Sequence, residues 1–280
     1  MRKRSALTGF LTVLVLIAVI VSTSDAQSAD RTIIRVKGSN VMAAAVDRLA
    51  KSFMASNPDY MVVVSGGGTQ AGFNALLKGS CEIAPASRKI TPFEMDLAAQ
   101  RRLRIGERLI GREGIGIIVN PKNPVKSLTM DQVRSIFTGK YSVWSQVGGP
   151  ETLIILFSTK LERSGTAVYF KSFCLKGDKI GVDTNTKYYF DHVIREVAQT
   201  DEAVGYCPLV KAIPAEEAGK IRILSIKKDE ESPAVVPTPA TVEDRSYPLI
   251  MPLYFYYIDR PGGKVARFVD YCAREGLKLY

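Results

Sequence analysis

Small polar residues and glycines follow predicted strands at three places, each directly before a predicted helix. These segments are residues 38–40 (Gly-Ser-Asn), 68–72 (Gly-Thr-Gln-Ala-Gly) and 163–166 (Arg-Ser-Gly-Thr). The first turn of a helix presents unpaired backbone N–H groups and a partial positive charge, to which nearby hydroxyls add further donors. One such helix start is most often a simple N-cap. Three of them, with a fourth strand end at residues 86–88 (Ala-Ser-Arg), predict a cradle for an anion that needs no metal.

The residues that most hydrolytic sites require are scarce in this chain. It has one histidine, His192, and no Gly-x-Ser-x-Gly motif. Its cysteines, which lie far apart with no C-x-x-C pair, are Cys81, Cys174, Cys207 and Cys272. This pattern excludes a zinc site built from several histidines and a thioredoxin-type motif. We therefore expect a binding protein without metal or cofactor, and a secreted hydrolase or phosphatase is the alternative.

The composition is that of a globular protein with an excess of positive charge. Hydrophobic residues make up 46% of the 280 residues and charged residues 24%, which argues against a disordered or multi-span membrane protein. The chain has 38 Lys and Arg against 28 Asp and Glu, a formal net charge of +10. Such an excess favours anionic partners without choosing among them.

Residues 1–26 have the pattern of a secretory signal peptide. A positively charged start, Arg2 to Arg4, precedes an apolar run over residues 10–21, and Ser24 and Ala26 then supply small residues for cleavage. The alternative is a retained membrane anchor, because the apolar stretch is nearly long enough to span a bilayer. Cleavage predicts a periplasmic or extracellular protein. Disulfides can form there, but the sequence does not select a pairing among the four cysteines.

Strand and helix patterns alternate along the rest of the chain, which predicts mostly parallel sheets with helices on both faces. The predicted strands cover residues 33–37, 61–65, 81–86, 114–120, 153–157, 203–209 and 249–258. Helical spacing or a capping residue predicts helices over residues 41–53, 72–78, 129–137 and 167–175, and one near the C-terminus with Val265, Phe268, Val269 and Cys272 on one face.

Two breaks divide this α/β pattern. Residues 120–124 (Asn-Pro-Lys-Asn-Pro) follow a predicted strand, and residues 227–248 are first charged and then rich in proline. A domain inserted between two parts of another domain would explain both breaks. We therefore predict a first lobe over residues 30–119 and 246–280, and a second lobe with its return linker over residues 120–245.

Several motifs resemble, in order, those of the phosphate-binding proteins of bacterial phosphate ABC transporters. They include GSN, GGGTQAGFNALLKG, CEIAPASRKI, SGTAVYF, AVGYCPL and YPLIMPLYFYY, and the most specific is SLTMDQVRSIFTGKYSVWSQVGG. The resemblance runs from about residue 33 to 268. It implies a type II periplasmic binding protein fold, with two α/β lobes joined by a hinge and one oxyanion between them. It also implies a monomer that delivers phosphate to a membrane permease and binds no nucleic acid; sulfate, molybdate and tungstate remain alternative ligands.

The resemblance also indicates which residues contact the anion. Some residues of the four loops match the family's ligand positions, and others stand in for them. These residues are Ser39, Asn40, Thr69, Gln70, Ser87, Arg88, Lys160, Glu162, Arg163, Ser164, Gly165 and Thr166.

Three of these positions depart from the family's pattern. Lys160 stands where an arginine is usual, and a lysine supplies charge without the bidentate fork of a guanidinium. Arg163, which stands where glycine is common, and Arg88 are the alternative counter-charges. Some family members carry an aspartate at the third loop that accepts the proton of hydrogen phosphate. Ser87 does not replace that carboxylate, which leaves Glu162 as the candidate.

Other conspicuous residues have simpler interpretations. We expect Trp144 and Tyr141 to pack a loop rather than stack on a ligand. The aromatic run at residues 254–257 favours a buried or edge strand over a nucleic-acid platform. His192, which follows Asp191, is expected to be structural.

Overall fold

We describe the chain from a computed structural model, which covers residues 31–161, 164–259 and 263–279. Strands in these ranges are β1 Thr32–Lys37, β2 Tyr60–Ser65, β3 Ile83–Ala86, β4 Ile105–Val119, β5 Ser127–Thr129, β6 Ile155–Thr159, β7 Asn185–Lys187, β8 Ala203–Pro208, β9 Arg222–Ile223, β10 Ser225–Lys227 and β11 Ile250–Ile258. The helices are α1 Ala43–Ser56, α2 Thr69–Leu77, α3 Pro92–Gln100, α4 Met130–Phe137, α5 Gly165–Phe173, α6 Phe190–Gln199, α7 Leu209–Glu217, α8 Pro239–Glu243 and α9 Lys264–Glu275. The predicted signal peptide lies outside the described residues.

The main sheet is parallel at its two flanks and antiparallel at its centre. Its strand order is β2-β1-β3-β11-β4-β8-β6-β7, and β9 also pairs with β4. β1 pairs in parallel with β2 and β3, and β6 with β7 and β8, whereas β4 and β11 run antiparallel to their neighbours. The prediction of mostly parallel pairing is therefore wrong for the centre. The reason is that β4 and β11 carry the chain between the two lobes instead of returning through a crossover helix.

Strand β4 passes from one lobe to the other without a break. Up to Gly114 it pairs with β11, and from Ile115 onward it pairs with β8. The returning chain contacts β4 at this change of partner, where the Tyr247 hydroxyl donates to the carbonyl of Ile115 at 2.8 Å. The change of partner at residues 114 and 115 falls inside a strand, where no loop signal marks it. The predicted lobe boundaries at residues 120 and 246 stay predictions.

The C-terminal segment packs back onto the first part of the chain. In α9, Phe268, Val269 and Cys272 are buried on one face, and Val265 is half-buried beside them. The rings of Phe268 and Phe53 in α1 meet edge to face, with centroids 5.1 Å apart. This apolar contact joins the two ends of the described chain in one lobe.

Local capping signals in the sequence are present in the structure. Thr129 caps α4: its hydroxyl accepts the N–H of Gln132 at 3.1 Å, and the Gln132 side chain accepts the N–H of Thr129 at 2.9 Å.

Trp144 is fully buried and donates its indole N–H to the carbonyl of Glu202 at 3.0 Å, so its expected packing role is confirmed. The aromatic run in β11 is confirmed as a strand paired on both sides.

The four cysteines are buried and free, so none is in a disulfide. Burial raises the pKa of the Cys81 thiol to about 11, which keeps the thiol protonated and unreactive at neutral pH. None of the helices in the described ranges is both long and apolar enough to cross a lipid bilayer.

Candidate anion-binding cleft

The first three strands end at the same edge of the sheet because they run in the same direction. Their following loops are joined by backbone hydrogen bonds. The N–H of Ser39 donates to the carbonyl of Pro85 at 2.8 Å, and the N–H of Gly68 donates to the carbonyl of Gly38 at 2.9 Å. The loops after β1, β2 and β3 thus form one continuous surface, at the edge where parallel sheets usually bind ligands.

Two hydroxyls of this surface contact each other. Thr69, the first residue of α2, is 1% exposed, and Ser87, directly after β3, is 2% exposed. Their side-chain oxygens lie 3.1 Å apart, and the N–H of Ser87 donates to Thr69 Oγ1, also at 3.1 Å. Ser39 is buried in the neighbouring loop. Three of the predicted hydroxyl donors therefore lie in adjoining loops of the first lobe.

The start of α5, from the second lobe, packs directly onto these hydroxyls. A Cβ added at Gly165 would overlap both Ser87 Oγ and Thr69 Oγ1, so only glycine allows this approach. Ser164 caps the helix by accepting the N–H of Ala167 at 3.1 Å, and Thr166 is 1% exposed. The structure thus brings Thr69, Ser87 and Gly165 together across the junction of the two lobes.

Asn40 and Gln70 are held by neighbouring groups. Asn40 Oδ1 accepts the N–H of Gly67 at 2.8 Å and so links the first loop to the second. Gln70 donates to Glu94 Oε1 at 3.0 Å and accepts a hydrogen bond from Arg88 at 2.8 Å. These contacts orient both side chains, and their predicted contact with a ligand stays a prediction.

Arg88 forms an ion pair with the buried carboxylate of Glu94, a residue for which the sequence predicted no role in the site. Its two terminal nitrogens donate to the two oxygens of Glu94 at 2.9 and 2.8 Å, and the side chains are 8% and 6% exposed. The guanidinium also lies 4.7 Å from the centroid of the Phe73 ring. Burial alone would raise the pKa of Glu94, but hydrogen bonds from Arg88 and Thr91 outweigh it and lower the pKa below its ordinary value. The pair is therefore charged, and most of the donor capacity of Arg88 is used within the protein.

A local sequence signal for Glu94 exists, although its pairing does not follow from that signal. The run Thr-Pro-Phe-Glu at residues 91–94 is a capping box, in which Thr91 and Glu94 satisfy each other's backbone N–H groups. The signal predicts the start of α3. The contact with Arg88 arises because the loop after β3 returns over the same helix start.

The remaining predicted ligands lie on the loop between β6 and α5. Lys160 Nζ lies 4.5 Å from the centroid of the Tyr188 ring and 3.4 Å from its hydroxyl. Glu162 and Arg163 lie outside the described residues. The predicted roles of Lys160 and Arg163 as counter-charges of a bound anion stay predictions.

The described residues hold no group of three or more His, Cys, Asp or Glu side chains arranged to bind a metal ion. His192 meets the ring of Tyr189 edge to face at 5.5 Å, and no hydrogen bond described for the chain joins it to a serine or threonine. What the cleft offers is a set of hydroxyl and backbone N–H donors at helix starts, which is the chemistry of anion binding.

The fold and the cleft define a class of protein in which two lobes bind a solute between them. The family model of the PBP superfamily domain matches residues 23–275, and the chain belongs to this superfamily. The predicted two-lobed fold is thereby confirmed.

Individual relatives extend the comparison. A phosphate-binding protein PstS of Staphylococcus haemolyticus (strain JCSC1435) is 28% identical over 229 residues, which cover 79% of this chain and 69% of the relative. A solved structure from Clostridium perfringens, assigned as a phosphate ABC transporter substrate-binding protein with bound phosphate, has a TM-score of 0.70 at 24% identity, covering 86% of this chain and 92% of that one. The structure of an ABC-type phosphate transport receptor from Vibrio cholerae has a TM-score of 0.68 at 24% identity, and the match covers 85% of this chain and 93% of that one. The resemblance found in the sequence motifs is confirmed, and the two structures establish the shared fold.

Proposed function

We propose that this chain is an exported solute-binding protein that captures inorganic phosphate between its lobes and delivers it to the permease of an ABC transporter. The observation that carries the proposal is the contact of Gly165 with Thr69 and Ser87 across the lobe junction. Hydroxyl donors of one lobe and a helix start of the other meet at a single place there. An anion held at that place would contact both lobes at once.

The chemistry of the cleft favours binding over turnover. Hydroxyl and backbone N–H donors stabilise an anion directly, whereas hydrolysis needs a nucleophile beside a base or a metal-bound water. Ser164 is instead hydrogen-bonded as the N-cap of α5. We therefore propose a stoichiometric binder. Sustained release of phosphate from a generic ester, abolished in Ser164→Ala, would replace this proposal by the alternative of a hydrolase.

Phosphate is proposed over other oxyanions because the relatives named above are phosphate-binding proteins and because the SGT loop matches that family. The test is isothermal titration calorimetry with phosphate, arsenate, sulfate and molybdate. We expect one phosphate per chain, with arsenate as the nearest competitor and sulfate at least a hundredfold weaker. Equal or tighter binding of sulfate or molybdate would reassign the ligand.

The counter-charge is proposed to be Arg163, because its guanidinium can donate two parallel hydrogen bonds to an oxyanion. The family's pattern points to Lys160 instead, and its ammonium contacts Tyr188. Titrating phosphate into Arg163→Ala and Lys160→Ala in parallel decides between them. If only the lysine variant loses affinity, the assignment to Arg163 is wrong.

Export is proposed from residues 1–26, with cleavage after Ala26 and a mature chain that acts as a monomer. N-terminal sequencing of the exported protein should begin near Gln27. Recovery of the chain with Met1 intact in a membrane fraction would instead identify an anchored protein.

A further inference from the structure

A cavity lies beside the strands that connect the lobes, and we call it the hinge cavity. Its volume is about 740 Å³. Strand β4 contributes Arg112 and β11 contributes Ile250 and Pro252, while Phe173 and the return linker at residues 245–248 line other sides. Its walls therefore come from the connecting strands, the second lobe and the linker. It is separate from the anion cleft, because Gly165 begins α5 at the cleft, whereas Phe173 ends α5 in this cavity. The two ends of this nine-residue helix are roughly 12 Å apart.

The charged residues of the hinge cavity are mainly cations. Four basic residues line it, against one acidic residue, Asp131; the four are Arg112, Lys176, Lys228 and Arg245. Lys176 Nζ lies 3.7 Å from Asp131 Oδ1, so the carboxylate partly compensates the charge of Lys176. Among the described residues no ion pair involves Arg112, Lys228 or Arg245. The cavity thus carries a positive excess that an anion would neutralise.

Apart from Ser246, the remaining lining consists of apolar and aromatic residues. Phe173 is 46% exposed, and its ring stacks on that of Tyr169 with centroids 5.3 Å apart. The Tyr169 hydroxyl donates to the carbonyl of Ile250 at 2.7 Å, which fixes this aromatic pair against β11. Met130, Pro248 and Pro252 complete an apolar surface next to the cations. A fixed, exposed aromatic ring beside unpaired positive charge suits a ligand with an apolar body and an anionic head.

We propose that the hinge cavity binds a small amphipathic organic anion, with the apolar body on Phe173 and the prolines and the anionic head among the basic side chains. The test uses two fluorescent probes of similar apolar body that differ in charge. 8-Anilinonaphthalene-1-sulfonate carries a sulfonate, and N-phenyl-1-naphthylamine is neutral. We expect the sulfonate probe to bind one site per chain at least tenfold more tightly than the neutral probe. Equal binding of the two would overturn the proposal, since the cations would then play no part.

A double variant locates the bound probe without disturbing the fold. Lys176 and Arg245 have left-handed backbone conformations, with φ of 52° and 65°, which glycine adopts more easily than any other residue. The double variant Lys176→Gly/Arg245→Gly therefore removes two cations from the cavity and relieves strain. We expect it to unfold at the parent's temperature or higher and to bind the sulfonate probe at least tenfold more weakly.

The matched control is Arg102→Gly. Arg102 also has a left-handed conformation, with φ of 54°, but it does not line the cavity. This variant should bind the sulfonate probe within twofold of the parent, and an excess of inorganic phosphate should leave the probe bound to the parent. An unchanged affinity in the double variant, an equal loss in Arg102→Gly, or displacement by phosphate would each place the probe elsewhere and overturn the proposal.

Discussion

Thr166 lies in the first turn of α5, where the second lobe meets the hydroxyls of the first, and its side chain is 1% exposed. We expect its hydroxyl to donate to the bound anion. A hydrogen bond to a charged group contributes about 1.5–3 kcal/mol, so Thr166→Ala should weaken phosphate binding by about ten- to a hundredfold in calorimetry. Thr166→Ser keeps the hydroxyl and should stay within about threefold of the parent. Parent-like affinity in the alanine variant would remove Thr166 from the site.

Gly165 gives a second prediction at the scale of single residues, and this one tests how the lobes meet. A methyl group there would overlap Ser87 Oγ and Thr69 Oγ1, so Gly165→Ala should hold the lobes apart and lower phosphate affinity at least tenfold. The advantage of alanine over glycine, about 1 kcal/mol, applies to helix interiors, and Gly165 is the first residue of α5; the unliganded variant should therefore unfold near the parent's temperature. A variant that is destabilised without ligand, with unchanged affinity, would show that this contact belongs to folding rather than to closure.

At the scale of elements, the start of α3 combines a helix cap with a buried ion pair. Glu94→Gln keeps a capping side chain, as Gln132 shows at the same position of α4, but leaves the Arg88 guanidinium buried without its carboxylate. Breaking a buried ion pair in this way should lower the free energy of unfolding by about 3 kcal/mol, which denaturant unfolding would measure. The mirror exchange Gln132→Glu, where no buried cation is involved, should change stability by less than about 1 kcal/mol. Equal effects of the two exchanges would show that capping alone matters at Glu94.

The same ion pair makes stability depend on pH. The pKa of Glu94 is lower in the folded chain than its ordinary value of 4.5. Its contribution is therefore fully present above that ordinary value and is lost as the pH falls through the lowered, folded value. The stability difference between the parent and Glu94→Gln should accordingly be constant near neutrality and shrink in acid below about pH 4. A difference that grows on acidification would contradict this assignment.

At the scale of the whole molecule, the proposed ligand site lies where the two lobes touch, so phosphate binding should stabilise the entire chain. A ligand present at a hundred times its dissociation constant stabilises the folded state by about 2.7 kcal/mol. For a chain of this size, that corresponds to a rise in melting temperature of about 5–10 °C. Differential scanning fluorimetry should show this shift with phosphate and a smaller one with the same concentration of sulfate. An unchanged melting temperature with phosphate would count against a site between the lobes.

Much of the secondary structure could be predicted from local patterns. The helix that begins after Thr129 follows from its capping box, and the strand at residues 203–208 follows from an unbroken apolar run. Loop motifs also placed Ser87 and Thr69 in one predicted site, because parallel strands bring their following loops to the same edge. The pairing of Arg88 with Glu94 could not be predicted, since it depends on how the loop after β3 folds back over α3.

The sequence by itself predicted seven of the described strands and five of the described helices in their order, an anion-binding role for the helix starts and the resemblance to a two-lobed binding family, because these depend on residue types at short spacing. The tertiary structure alone decided the antiparallel centre of the sheet, the change of partner within β4 and the contact of Gly165 with Thr69 and Ser87. Each of these joins segments tens of residues or more apart in the chain. Their pairing depends on the packing of whole lobes, and no local spacing of residues records it.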